Sequence, residues 1–297
     1  MRRIEQECQM TEIDELKIYR GKDFVLNDYL TIKQRTLDEI SDFGEKKYFG
    51  YVSTFCATPS DMMIELEQQG VDWTKIGDWE FFTQYGIYNT FGSEIGDFIF
   101  NGFDFTKLLP FKDKDDTVIL VGYPYYEAVD PTGEVVYLST QDVDDVDDCF
   151  KLKICGLDCD DKEQQIIFTE ADYLRATKYL RYAHKFKYNK VKPHNKAARK
   201  MELKLAMRDR AKALARKDKS ELLELISSMT NIDGFKYGWL DVWDMKINAF
   251  LDAVARVQKI KNAFMLLQSA YSGFGIDLSK FTASQKEKSL NWMGSLD

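Results

Sequence analysis

The sequence predicts an α+β fold: a mixed N-terminal region with small antiparallel sheets and helices, followed by a helical C-terminal region with a long amphipathic helix. Three observations lead there. Short β-type runs gather in residues 1–168 and are densest over 95–168. Two capping boxes, beginning at Thr36 and Thr169, each open a helical pattern. After Phe168 the apolar residues recur only at helical spacing, so the chain divides into 1–168 and 169–297.

In chain order, residues 1–10 read as a polar arm. LKIY (16–19), DFVL (23–26) and YLTIK (29–33) are β-type runs separated by Gly21 and Asn27-Asp28, which predicts a small meander. Thr36 and Glu39 then start a helix that runs to about Phe55. Gly44 inside it costs up to about 1 kcal/mol relative to Ala and marks a bend. Thr58, Pro59, Ser60 and Asp61 stop that helix and cap another, which Gly70 ends. Trp73, Trp79, Phe81, Phe82 and Tyr85 follow as an aromatic-rich helical patch suited to a core. FIFNGFDF (98–105) reads as a hairpin across Asn101-Gly102. TVILV (117–121), VVYL (135–138) and QIIF (165–168) add strands, with DPTG (130–133) as a turn.

The C-terminal region opens with a helix from Thr169 to about Tyr188. Beyond Pro193 a second runs from about His194 to Lys217, with only Leu203, Met207, Ala211 and Leu214 as its apolar stripe. Ser220 caps a short apolar helix to Met229, and Gly234 and Gly238 bracket a break. The longest helix covers about 240–270, where Trp243, Ile247, Phe250, Val254, Val257, Ile260, Phe264 and Leu267 recur at three- and four-residue steps. SGFG (272–275) ends it with residues that tolerate positive φ. At 1.5 Å per residue such a helix spans roughly 45 Å and outruns a small domain. Core packing is the first expectation for its stripe and an assembly contact for part of it the second, with Trp243, Ile247, Phe250, Val254, Val257 and Phe264 as the candidate partner-binding residues.

Charge is divided sharply. Residues 173–219 hold seventeen Lys or Arg against three acids, inside a chain of net charge −8, so the remainder carries −22. Lys196, Arg199, Lys200 and Lys204 are the candidate contacts of this segment. Three uses stay open: a solvated helix held against the chain's own acidic regions, a protein-binding face, or a phosphate-binding face. Tyr173, Tyr179, Tyr182, Phe186 and Tyr188 precede the most basic stretch at helix-burying spacing and do not interleave with it as a base-stacking platform would, so nucleic acid is the least favoured partner.

With 44% apolar residues the chain has ample material for a core, which excludes wholesale disorder. Five cysteines, an odd number at irregular spacing, suit a reducing compartment, and neither a leader pattern nor a membrane-length apolar run occurs, so the host cytoplasm is the expected location. Cys149, Cys155 and Cys159 lack zinc-site spacing. The run DVDDVDD (142–148) lacks the glycine and terminal glutamate of a calcium loop and reads as a solvated acidic loop. His184 and His194 read as surface histidines. No phosphate-cradling glycine motif and no nucleophile–base–stabiliser set is legible, so no enzyme, cofactor or metal is expected.

TLDEISDFGEKKYF (36–49), ATPSDMMIEL (57–66), VWDMKINAFLDAVARVQKIK (242–261), LLQSAYSGFGIDLSK (266–280) and LNWMG (290–294) together resemble proteins of the tail-morphogenesis region of phages and prophages of Gram-positive bacteria, the tail assembly chaperones. The resemblance implies a non-enzymatic assembly factor that binds the tape-measure protein, keeps it soluble and recruits tail-tube subunits. A homo-oligomer is compatible with it. The β-rich middle departs from that family's mostly helical pattern. The alternatives are a permanent virion component, such as a connector, tail or baseplate protein, and a nucleic-acid-binding module built on the basic segment.

Overall fold

The computed structural model describes residues 12–87, 93–112, 117–129, 135–138, 151–155, 166–215, 220–272, 275–294 and 296. The expected N-terminal arm, the 130–133 turn, the 142–148 acidic run, Cys149 and Cys159 lie outside them. The architecture is α+β, with two antiparallel sheets before residue 169 and a helical C-terminal region.

The first described element is helix α1 (Glu12–Tyr19), where a strand was expected over residues 16–19. The preceding Glu-Ile-Asp-Glu supplies helix formers, Ile18 is the residue buried in the core, and Gly21 at φ 75° closes the helix, with the Lys22 amide donating to the Lys17 carbonyl at 3.0 Å. The expected meander is thus reduced to a two-stranded sheet, β1 (Phe24–Val25) and β2 (Thr31–Ile32), joined through an Asn27 side chain that accepts from the Leu30 amide at 2.8 Å. Thr36 and Glu39 form the predicted capping box of α2 (Leu37–Phe43). Gly44, at φ 101°, divides the predicted helix, and α3 (Glu45–Phe55) continues beyond it. Thr58 and Asp61 bond each other reciprocally, and α4 (Met63–Gln68) follows. A short α5 (Asp78–Phe81) then runs into a π-turn.

Residues 98–105 do not form the expected hairpin. Helix α6 (Ser93–Ile99) occupies the first of its two runs, and Asn101 and Gly102 use their positive φ to cap that helix, the Gly102 amide donating to the Gly96 carbonyl at 2.8 Å. The chain then folds back so closely that a Cβ on Gly96 would stand 2.7 Å from the Phe103 carbonyl oxygen. An Asn-Gly pair encodes left-handed backbone, and a helix end consumes it as readily as a hairpin does.

The larger sheet is organised by β4 (Val118–Val129), whose length lets it serve different neighbours along its course. Its first part pairs with β3 (Leu109–Lys112) and β7 (Ile166–Phe168), and its second with β5 (Val135–Leu138) and β6 (Lys151–Cys155), all antiparallel. Trp79 ties this sheet to the helices by donating its indole N–H to the Val118 carbonyl at 2.9 Å. The remaining helices are α7 (Glu170–His184), α8 (Lys196–Ala215), α9 (Glu221–Thr230), α10 (Ile247–Tyr271) and α11 (Ala283–Leu290).

One hydrophobic cluster draws on both regions, from Ile18 through Phe168 to Phe250. At its centre Phe55, Phe82, Phe105 and Tyr173 meet with ring centroids 4.5 to 6.0 Å apart, within the range in which aromatic pairs attract beyond their area burial. A backbone bridge between Thr36 and Lys246 locks α10 into this core: the Leu37 amide donates to Met245 and the Ile247 amide to Arg35, both at 3.0 Å.

His184 is not the surface residue expected. It ends the buried face of α7, its Nδ1 lies 2.8 Å from the Leu180 carbonyl and its Nε2 lies 2.8 Å from the Tyr48 hydroxyl. A carbonyl only accepts, so Nδ1 carries the proton and Nε2 accepts from Tyr48. Burial pushes the imidazole from its ordinary 6.5 down to about 4. The unfolded chain gains a proton across that interval and the folded chain does not, so stability falls as pH drops from 6.5 to about 4, by about 3 kcal/mol in all. The check is an NMR titration: the His184 ring resonances move near pH 4, and movement near 6.5 would refute this burial.

Candidate functional site

The partner-binding residues expected from the sequence lie on or beside α10, and the structure sorts them by depth. Trp243 precedes the helix, half-buried, with its ring 6.3 Å from Trp239. Ile247 and Phe250 are core residues at 1% and 0% exposure and present no surface to a partner. Val254 and Val257 rest half-buried against the same core, and Phe264 is 56% exposed. The helix has 25 residues and is thus shorter than expected, because residues 241–244 turn as a separate 3-10 segment and Lys246 takes extended backbone to make its bridge.

The depth gradient follows from a constant repeat laid over a changing environment. Phe250, Val257, Phe264 and Tyr271 recur every seven residues, and Ala253, Ile260 and Leu267 fall three positions after the first three of them. That is the spacing of the apolar positions in a coiled-coil seam. Its first turns face α1 and α7, while the last carry Phe264 and Tyr271 into solvent, the latter 87% exposed. A groove of about 670 Å³ beside the seam joins Val257 and Ile260 to Leu16, Tyr19, Tyr182 and Tyr237.

A different face of α10 carries α11. Arg256 holds the C-terminal turn there, its Nη1 donating to the Trp292 and Gly294 carbonyls at 2.8 Å each. Between the two helices runs an open groove of about 1050 Å³, where Ala255, Met265, Leu266 and Ile276 meet Lys259 and Glu287. The helix ends at Tyr271, where the 272–275 stretch was expected to stop it, and Gly273 and Phe274 lie outside the described residues, while Gly275 has no positive φ. It lies against Ser269, where a Cβ would collide with the Ser269 side chain and backbone.

The basic segment is divided in the same way. Arg199 is turned inward to Glu67 at 2.5 Å and Asp72 at 3.1 Å, and Arg210 pairs with Glu65, so α8 is held against the acidic side of α4 and the loop after it. The Asp72 carboxyl is held below its ordinary range, first by the Thr74 hydroxyl and then by Arg199. Lys196, Lys200 and Lys204 face solvent, and His194 is exposed as expected. Leu203 packs on a smaller apolar cluster formed by Ala57, Met63, Ile64, Leu66, Trp73 and Phe81, while Met207 is 45% exposed.

The sequence reading missed Met265, Tyr271 and Leu240, exposed at 59%, 87% and 81%. Tyr271 was recoverable, since it is the next seven-residue step after Phe264. Among the described residues no group of His, Cys, Asp or Glu could hold a metal ion, and no helix is long and apolar enough to cross a membrane. Comparison with protein families, curated proteins and solved structures finds no match to the chain.

The depth gradient sets opposite costs on two phenylalanines of one stripe. Phe250→Ala removes a fully buried ring and lowers the unfolding free energy by about 3–5 kcal/mol, whereas Phe264→Ala changes it by no more than about 0.5 kcal/mol. Urea titrations of the two variants check this, and equal losses would place Phe264 in the core.

Proposed function

We propose that the chain is a non-enzymatic assembly factor that binds a helical partner through the exposed end of the α10 seam, and that this partner is the tape-measure protein of a phage tail. The observation that supports the reading is the unbroken seven-residue repeat from Phe250, wholly buried, to Tyr271, almost wholly exposed. A coiled-coil seam is complementary to another helix: each apolar knob sits in a hole formed by four residues of the partner. Exposed rings at seven-residue spacing are the form in which a helix offers such knobs, and a groove recognises an amphipathic helix through the same anchors. The tape-measure protein enters through the resemblance of residues 36–49, 57–66, 242–261, 266–280 and 290–294 to tail assembly chaperones. Exposed charge beside the seam, Lys261 next to Ile260, keeps such a surface soluble before the partner arrives.

Co-expression of the full chain with the tape-measure protein tests the reading. The expected result is soluble tape-measure protein that co-elutes with the chain on size exclusion. Replacing Phe264 and Tyr271 by Asp abolishes co-elution while the circular dichroism spectrum stays unchanged, because both side chains stand in solvent. Tape-measure protein that stays insoluble removes the chaperone reading. A chain then found in fixed stoichiometry in purified virions is a structural component instead.

A further inference from the structure

Helix α8 shows solvent a ridge of cations. Lys196, Lys200, Lys204, Arg208 and Lys212 follow one another at four-residue steps, and all five are exposed. Each step advances about 6 Å and turns about 40°, so the ridge runs for about 24 Å and winds through about 160° around the outer side of the helix. The inner face is where Arg199 and Arg210 meet the carboxylates of Glu67, Asp72 and Glu65, and where Leu203 and Ala206 pack. Inner cations are neutralised and fix the helix in place. Along the ridge, among the described residues, the one ion pair joins Lys212 to Asp209 at 3.6 Å on the same helix.

Like charges at four-residue spacing destabilise a helix, so the ridge carries a standing cost that an opposing anionic surface removes. Two features identify that surface. Helix α8 contains no aromatic residue on which a base could stack. Beside the cations stand exposed methionines, Met201 at 56% and Met207 at 45%, and Met207 borders a groove of about 380 Å³ between α4 and α8 that Ile64, Gln68 and Ala211 also line. Exposed methionines suit a protein partner with apolar anchors, and a phosphate backbone gives them nothing to bury.

We propose that this ridge and groove dock an acidic amphipathic helix of another protein, with carboxylates at four-residue steps on one line and Leu-type anchors on the adjacent line. Two helices lying side by side share one rise per residue, so carboxylates at that step keep register with Lys200, Lys204 and Arg208, which span about 80° of the helix, while Lys196 and Lys212 flank the contact and an anchor enters the groove beside Met207. The surface uses α8 and α4 and none of the α10 seam, so it goes beyond the reading above, and the two stand or fall separately.

The test uses the full chain and a fluorescent synthetic helix built from five repeats of Glu-Ala-Ala-Leu, with fluorescence anisotropy as the readout. The expected result is saturable binding that weakens with salt and falls at least about tenfold when Lys200, Lys204 and Arg208 are all changed to Glu. Met207→Asp also weakens it, and Phe264→Asp with Tyr271→Asp leaves it unchanged. Circular dichroism confirms that each variant is folded, which solvent-exposed positions permit. The proposal is overturned if the peptide does not bind, if a scrambled peptide of equal composition binds as tightly, or if the triple reversal has no effect. Tighter binding of a single- or double-stranded oligonucleotide, lost on the same reversal, overturns it in favour of a phosphate-binding face.

Discussion

The rest of the molecule depends on how Arg35 and its neighbours hold the start of the long helix. Arg35 donates through Nε to the Phe98 carbonyl at 2.7 Å, lies over the Phe98 ring at 4.3 Å, and pairs with Glu39 at 2.8 Å. Its own carbonyl accepts from Ile247, and the adjacent Thr36 caps α2. Three segments far apart in sequence, at residues 35–39, 98 and 245–247, are thereby fixed around one residue, the second through its side chain and the third through its backbone. Lys246 adds a further contact to Glu39 at 3.7 Å, and that carboxyl, although burial raises its pKa, is held below its ordinary value by the Thr36 amide, Arg35 and Lys246 together. Much of the interior, from Ile18 to Phe250, is assembled about that point.

Legibility in the sequence followed the locality of each signal. Capping boxes at Thr36 and Thr169 were readable because both halves lie within four residues, and the Ser220 cap for the same reason. The 98–105 segment misled because Asn-Gly specifies a backbone conformation and leaves open which element uses it; the close approach of Gly96 to Phe103 decides that. Residues 16–19 misled because β-type side chains were weighed without the helix formers before them. Strands β3 and β6 went unforeseen, since each takes its pairing from β4 and carries little pattern of its own.

The candidate surfaces were legible in outline and not in depth. Spacing alone placed Phe250 and Phe264 on one stripe, and nothing local says that α1 and α7 cover the first and leave the second bare. Arg199 looked like its neighbours Lys196 and Lys200 until the fold brought Glu67 and Asp72 to it. Burial of His184 likewise required Tyr48, which lies 136 residues earlier in the chain. Local periodicity names the face of a helix, and long-range packing decides how deep that face lies.

The Arg35 bridge also gives α10 a mechanical character. At 1.5 Å per residue its 25 residues reach roughly 37 Å from a clamped origin. It is a cantilever braced part-way along by the Arg256 contacts to the C-terminal turn. A load applied at Tyr271 is carried down the beam as torque on the clamp, and so onto Arg35, Phe98 and the first turn of α2. The tip is thus mechanically continuous with the most buried part of the molecule.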